Sequence, residues 1–110
     1  MATLNTKLLL NTSADIPAVG FGTLQDKDAQ EDVVTEALKA GYRHIDTARI
    51  YGTKPTVGNT IKKSGIPRSE IFITTKLWKN SYHPDDVAPA LDDATLKDLD
   101  TEYLDLCLMH

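Results

Sequence analysis

The sequence predicts an α/β domain built on a parallel sheet, and three observations carry that reading. Short runs rich in β-branched, leucine or aromatic residues alternate with stretches of helical periodicity, giving the order β-α-β-α-β-α-β from Val19 onward. Parallel neighbours cannot be joined by a tight turn and need a crossover, so this alternation implies a parallel sheet. The predicted strands end near Gly20, Asp46, Lys76 and His110, at separations of 26, 30 and 34 residues, about one βα unit each. No low-complexity tract or linker divides the chain, so residues 1–110 read as one domain.

The elements follow in order. TKLLLNTSADIP reads as a hairpin, with residues 8–10 as one strand, Asn11 to Ala14 as the turn and Asp15-Ile16 opening the return. Val19 to Gly22 form a short strand. Residues 28–40 read as a helix: Asp28 and Glu31 have capping-box spacing, Val33, Val34, Ala37 and Leu38 make the apolar face, and Gly41 supplies the left-handed stop. Arg43 to Asp46 are a strand, and Thr56 to Ser64 a second helix ended by Gly65 and Ile66-Pro67. IFITTKLW, 71–78, is the clearest strand. A third helix is expected over 85–99, with Pro84 and Pro89 tolerated only near its start, where N–H groups have no intrahelical partner. YLDLCLM, 103–109, is the last strand.

Composition narrows the function. With 41% hydrophobic and 25% charged residues the chain is expected to be an ordinary soluble domain. A net charge of -4 without a basic cluster argues against nucleic acid as partner. Cys107 is the sole cysteine, which excludes an intramolecular disulfide and fits a reducing compartment. Three leucines in a row are too short for a signal-peptide core, and nothing approaches a membrane span, so a cytoplasmic protein is expected. His44, His83 and His110 lack metal-ligand spacing, GFG at 20–22 is too little for a phosphate-binding fingerprint, and Cys107 has no evident activating base. No metal site is expected.

The candidate chemistry lies at the strand ends. Asp46, Lys76 and His110 each close a successive strand, and Tyr51 follows Asp46 in the next loop, GYRHIDTARIYG. In parallel α/β sheets the carboxyl edge is where functional groups gather. Each residue has a plainer reading: a turn-capping Asp46, a packed Tyr51, an exposed His110. A lysine inside IFITTKLW, however, needs a counter-charge or a route to solvent. Shared chemistry would be proton transfer. Tyrosine titrates near a pKa of about 10, and a neighbouring ammonium favours the phenolate. Asp46 would hold Lys76 charged, and His110 could orient a substrate carbonyl.

GYRHIDTARIYG, TTKLW and YLDLCLMH together resemble the aldo-keto reductases, and the resemblance runs over essentially the whole chain. It implies the N-terminal portion of a (β/α)8 TIM barrel with an N-terminal β-hairpin plugging the floor, and about four parallel strands and three helices present. It implies NADP (NADPH) as cofactor and a small carbonyl or alcohol as substrate. Asp46, Tyr51, Lys76 and His110 then match the family's catalytic tetrad, with Tyr51 as proton donor. Tyr51 and His110 would meet the substrate, and Gly22, Thr23 and Asp46 the cofactor. Three departures stand out. Lys54-Pro55 occupies the position where the first motif usually carries a glutamate, Asp100 stands where a helix-ending glycine is common, and the matched pattern stops at His110. A whole barrel needs roughly 250 residues. Two further readings stay open: a truncated, non-catalytic barrel piece, and a Schiff-base aldolase using Lys76 as nucleophile.

Overall fold

The computed structural model describes residues 2–23, 30–48, 54–92 and 96–110. The predicted hairpin is present as β1 (Lys7–Leu9) and β2 (Asp15–Pro17), paired antiparallel with Leu8 opposite Ile16. Its turn is closed by Leu10 N–H donating to the Ala14 carbonyl at 2.8 Å, and Ser13 takes a left-handed φ of 69° within it. Leu8 and Leu9 are nevertheless 58% and 75% exposed. The hairpin sits at the amino end of the sheet, where the His44 ring nitrogen Nδ1 lies 3.4 Å from the Pro17 carbonyl.

The main sheet has four strands in the order β3 (Phe21–Gly22), β4 (His44–Asp46), β5 (Phe72–Leu77) and β6 (Leu106–Met109), all parallel. Crossovers run through α1 (Gln30–Ala40), α2 (Lys54–Lys63), α3 (Pro84–Leu91) and the short turn α4 (Lys97–Leu99). Register fixes which side chains share a face. Asp46 pairs with Thr74 and Lys76 with Leu108, so Asp46, Thr74, Lys76 and Leu108 lie on one face, and Ile45, Ile73 and Thr75 on the other. That second face meets the helices: Ile45, Ile71 and Ile73 pack with Val34, Leu38, Val57, Ile61 and Leu99 in the core. The sheet is therefore divided into a helix-covered apolar side and a side carrying the polar strand-end residues.

Several details depart from expectation. The third strand is confined to Phe21–Gly22, leaving Val19 outside it. Along α1 the buried residues are Gln30, Val34, Ala37 and Leu38, whereas Val33 is 40% exposed. The buried positions centre near Val34, and Val33, about 100° from it on the side away from Leu38, falls at the edge of that face. The proposed cap Asp28 lies outside the described residues. Gly41 does stop the helix, with φ +106°.

Helix α2 begins at Lys54, two residues earlier than predicted, so the charge reversal there does not prevent helix entry. Pro55 is its second residue, where a missing N–H costs nothing. Asp100 takes the left-handed conformation (φ 50°, ψ 52°) that glycine usually supplies, and its carboxylate pairs with Lys62 of α2.

Pro89 lies inside α3 rather than near the helix start. Lacking an N–H, it forfeits the bond to the Asp85 carbonyl. Asp85 is exposed, so water can satisfy that oxygen. Of the expected helix over 85–99, α3 covers the part up to Leu91 and α4 the part from Lys97, while residues 93–95 lie outside the described residues.

The last strand is shorter than its apolar pattern because residues 103–105 are held otherwise. Arg68 donates to Thr101 Oγ1 (2.9 Å), the Tyr103 carbonyl (2.9 Å) and Asp105 Oδ2 (2.9 Å), and its guanidinium lies 4.1 Å from the Tyr103 ring centroid. Asp105 also accepts from the Ile73 N–H at 2.8 Å. A side chain thus replaces a ladder bond where β5 and β6 come together.

Candidate active site

Asp46 is placed at the end of β4 because Gly41, Tyr42 and Arg43 bring the chain from α1 back into the sheet. Tyr42 N–H donates to the Ala37 carbonyl at 3.0 Å, and Arg43 ties to the Leu38 carbonyl at 2.9 Å. Lys76 lies one residue before the end of β5, on the same face. Its Nζ donates to Asp46 Oδ1 and to the Thr47 carbonyl at 3.3 Å. The Lys76 side chain is 14% exposed and that of Asp46 40%, so the lysine is drawn into the sheet while its partner reaches solvent. The counter-charge that the sequence demanded for a lysine in a strand is thus Asp46.

His110 follows the last residue of β6. Its N–H donates to the Leu77 carbonyl at 3.0 Å, extending the β5–β6 ladder by one bond. Its imidazole meets the Trp78 ring edge-to-face, with centroids 5.4 Å apart and planes at 75°. Asp46, Lys76 and His110 therefore occupy the carboxyl ends of three adjacent strands. Tyr51 falls outside the described residues.

Gly22 ends β3, is exposed, and has no described atom within 4 Å of the place a β-carbon would occupy. Thr23 is buried. Its N–H (2.9 Å) and its hydroxyl (3.2 Å) both donate to the Asp46 carbonyl, which leaves the hydroxyl oxygen able to accept from a ligand but not to donate. This pair of bonds also holds the Asp46 backbone against β3.

One feature was missed by reading the sequence. Lys54 is 1% exposed, the largest fully buried side chain of the described residues, although lysine patterning normally marks a surface. Cys107 lies in β6 on the helix-side face, in register with Thr75. Desolvation by its surroundings raises the thiol above its ordinary range, while the Lys54 ammonium and a backbone bond from Leu77 act in the opposite direction. Desolvation outweighs these, which disfavours the nucleophilic thiolate. Trp78 and Tyr82, which flank His110, carried no periodic signal that would have assigned them a role.

A parallel sheet covered by helices on one side, with its polar residues gathered at the carboxyl strand ends, is the architecture of the N-terminal part of a (β/α)8 barrel. Solved structures bear this out. The chain superposes with a TM-score of 0.92 on an aldo/keto reductase from Brucella melitensis, at 46% identity over 100% of this chain and 42% of that one. It superposes equally well, at 0.92, on a Bombyx mori aldo-keto reductase in complex with NADP, with 38% identity over 99% of this chain and 39% of that one.

Residues 18–110 match the aldo/keto reductase family, and the chain belongs to it. Glycerol 2-dehydrogenase (NADP(+)) of Saccharomyces cerevisiae is 55% identical over 109 residues, 96% of this chain and 34% of that protein. The D/L-glyceraldehyde reductase of Hypocrea jecorina is 51% identical over 107 residues, 92% of this chain and 32% of that protein. The chain spans about a third of the length of these relatives. Among the described residues no helix is long and apolar enough to cross a membrane.

Proposed function

We propose that these residues are the N-terminal part of a single barrel domain of an NADP-dependent reductase that converts aldehydes or ketones to alcohols. The observation that carries this reading is the Lys76–Asp46 ion pair at the carboxyl rim, one strand away from His110. Strand ends of a barrel converge on one mouth, and a held ammonium there favours a phenolate nearby.

In this reading Tyr51 donates the proton to the carbonyl oxygen. Lys76 stabilises the charge left on the phenol oxygen, Asp46 keeps Lys76 charged and in place, and His110 orients the carbonyl. The rim fits a nicotinamide cofactor: no described atom crowds Gly22, the Thr23 hydroxyl oxygen keeps lone pairs able to accept, and Asp46 presents a partly exposed carboxylate able to accept from ribose hydroxyls. When bound, NADPH would supply hydride to the carbonyl carbon. The chain's own residues supply the proton and the orientation. A small-molecule carbonyl or alcohol partner accompanies this reading, in keeping with the names of the relatives, and a cytoplasmic location is proposed with it. A Schiff-base role for Lys76 would need an uncharged amine, which the adjoining Asp46 carboxylate opposes.

The test is Tyr51→Phe in the complete protein that carries this chain. Losing only the hydroxyl, it should bind NADPH as before and lose about 10²-fold or more in kcat, the scale of general acid catalysis. Near-normal turnover would place the proton donor elsewhere.

A further inference from the structure

We propose that His44 is a positioning residue for the Asp46–Lys76 pair, acting through its bond to Thr74. The inference rests on the reading of that pair as the charge that favours the Tyr51 phenolate. β4 presents two side chains to the polar face of the sheet, His44 and Asp46, and each crosses to the β5 residue thirty positions later. The His44 ring nitrogen Nε2 lies 2.7 Å from Thr74 Oγ1, and Asp46 accepts from Lys76 Nζ. The two contacts are successive rungs on one diagonal between the same two strands.

The ring is confined from several sides. Phe72, the register partner of His44, meets it edge-to-face, with centroids 5.1 Å apart and planes at 72°. On the β3 side a β-carbon at Gly20 would fall 2.9 Å from Nδ1, so glycine there leaves room for the imidazole. Nδ1 faces the Pro17 carbonyl of the floor hairpin at 3.4 Å. A carbonyl oxygen can only accept, so Nδ1 carries the proton, and Nε2 of the neutral ring accepts from the Thr74 hydroxyl. Thr74 is 3% exposed, and loss of this acceptor would strand a buried hydroxyl.

β4 therefore holds Thr74 at two points. Its hydroxyl meets His44, and its carbonyl accepts Thr47 N–H at 2.9 Å. Asp46, the register partner of Thr74, stands between these two ties. The ladder joins β4 and β5 over only three register pairs, so the side-chain tie adds a fixed point on the very face where the ion pair forms. The offset between the strands is set one rung below the place where Lys76 Nζ must meet Asp46. His44 does not need to touch substrate or cofactor for this purpose.

The experiment uses the complete protein at saturating NADPH, with glyceraldehyde as substrate. Thr74→Val removes the hydroxyl and should lower kcat by about 10-fold, less than a 1 Å misplacement can cost. Reduction needs a protonated Tyr51, so kcat falls as pH rises through the pKa of that phenol. A less well-placed ammonium favours the phenolate less, and the alkaline limb of kcat should move up by about half a pH unit or more. His44→Gln keeps a polar atom at the reach of Nε2 and should retain both kcat and limb. His44→Asn reaches only as far as Nδ1 and should behave as Thr74→Val. In a Lys76→Met background Thr74→Val should change kcat less than about twofold, because residues acting as a unit are not additive. Full turnover in Lys76→Met would overturn the reading of the rim itself. An impaired Lys76→Met beside a Thr74→Val enzyme with kcat and limb unmoved would leave that reading standing and overturn the positioning role. A fall in kcat without movement of the limb, or equal losses in both backgrounds, would overturn it too, since simple loosening of the fold gives either. If Thr74→Val does not fold, the two His44 variants decide: a limb moved in His44→Asn and not in His44→Gln supports the role, and the same limb in both overturns it.

Discussion

Lys76→Met is expected to lower kcat for carbonyl reduction by about 10²-fold or more while the protein remains folded. The side chain keeps its length and apolar stem, so its packing in β5 is largely retained. What disappears is the ammonium that donates to Asp46 and to the Thr47 carbonyl. Removing one partner of a fully buried ion pair would strand a charge and destabilise the fold. Here the Asp46 side chain is 40% exposed and can be rehydrated, so the effect should fall on chemistry rather than stability. Steady-state kinetics beside a denaturant titration separates the two. A variant with normal kcat would show that Lys76 does no more than neutralise Asp46.

Gly58→Ala should have the opposite profile, a large loss of stability caused far from the rim. In an exposed helix this change would stabilise by about 1 kcal/mol, because alanine is the better helix former. At position 58 the added carbon would stand 2.4 Å from the Leu99 carbonyl oxygen and 2.7 Å from its carbon. Those are backbone atoms at the end of α4, so no side-chain rotation relieves the contact, and α2 and α4 must separate. Overpacking of this kind costs about 1–3 kcal/mol, occasionally more, enough to reverse the sign of the helix-propensity gain. A lower denaturant midpoint at unchanged slope is the expected result. An unchanged or raised midpoint would mean that the α2–α4 contact is looser than the structure shows.

Much of this architecture was legible because local chemistry and long-range contacts agree. Gly41 was readable as a helix stop since few residues tolerate its conformation. The Lys76–Asp46 pairing was readable because an ammonium inside an apolar strand demands an anion, and Asp46 ends the neighbouring strand. Where the sequence misled, the deciding partner was distant. Tyr103 and Leu104 have strand-like neighbours, yet Arg68, more than thirty residues earlier, holds the Tyr103–Asp105 segment and delays β6 until Leu106. Lys54 stood out only as a charge reversal against the family pattern, and its burial is visible only in the packed structure.

The central claim is that this rim assists hydride delivery to a carbonyl, and isotope transfer tests it most directly. The complete protein is incubated with an aldehyde and NADPH deuterated at the transferable position of the nicotinamide, and the alcohol is analysed by mass spectrometry. The account predicts that each alcohol molecule carries one deuterium on its carbinol carbon, and that Lys76→Met forms the same labelled alcohol about 10²-fold more slowly. Absence of labelled alcohol, together with borohydride-dependent attachment of the carbonyl compound to Lys76, would contradict it and make the lysine a covalent nucleophile instead.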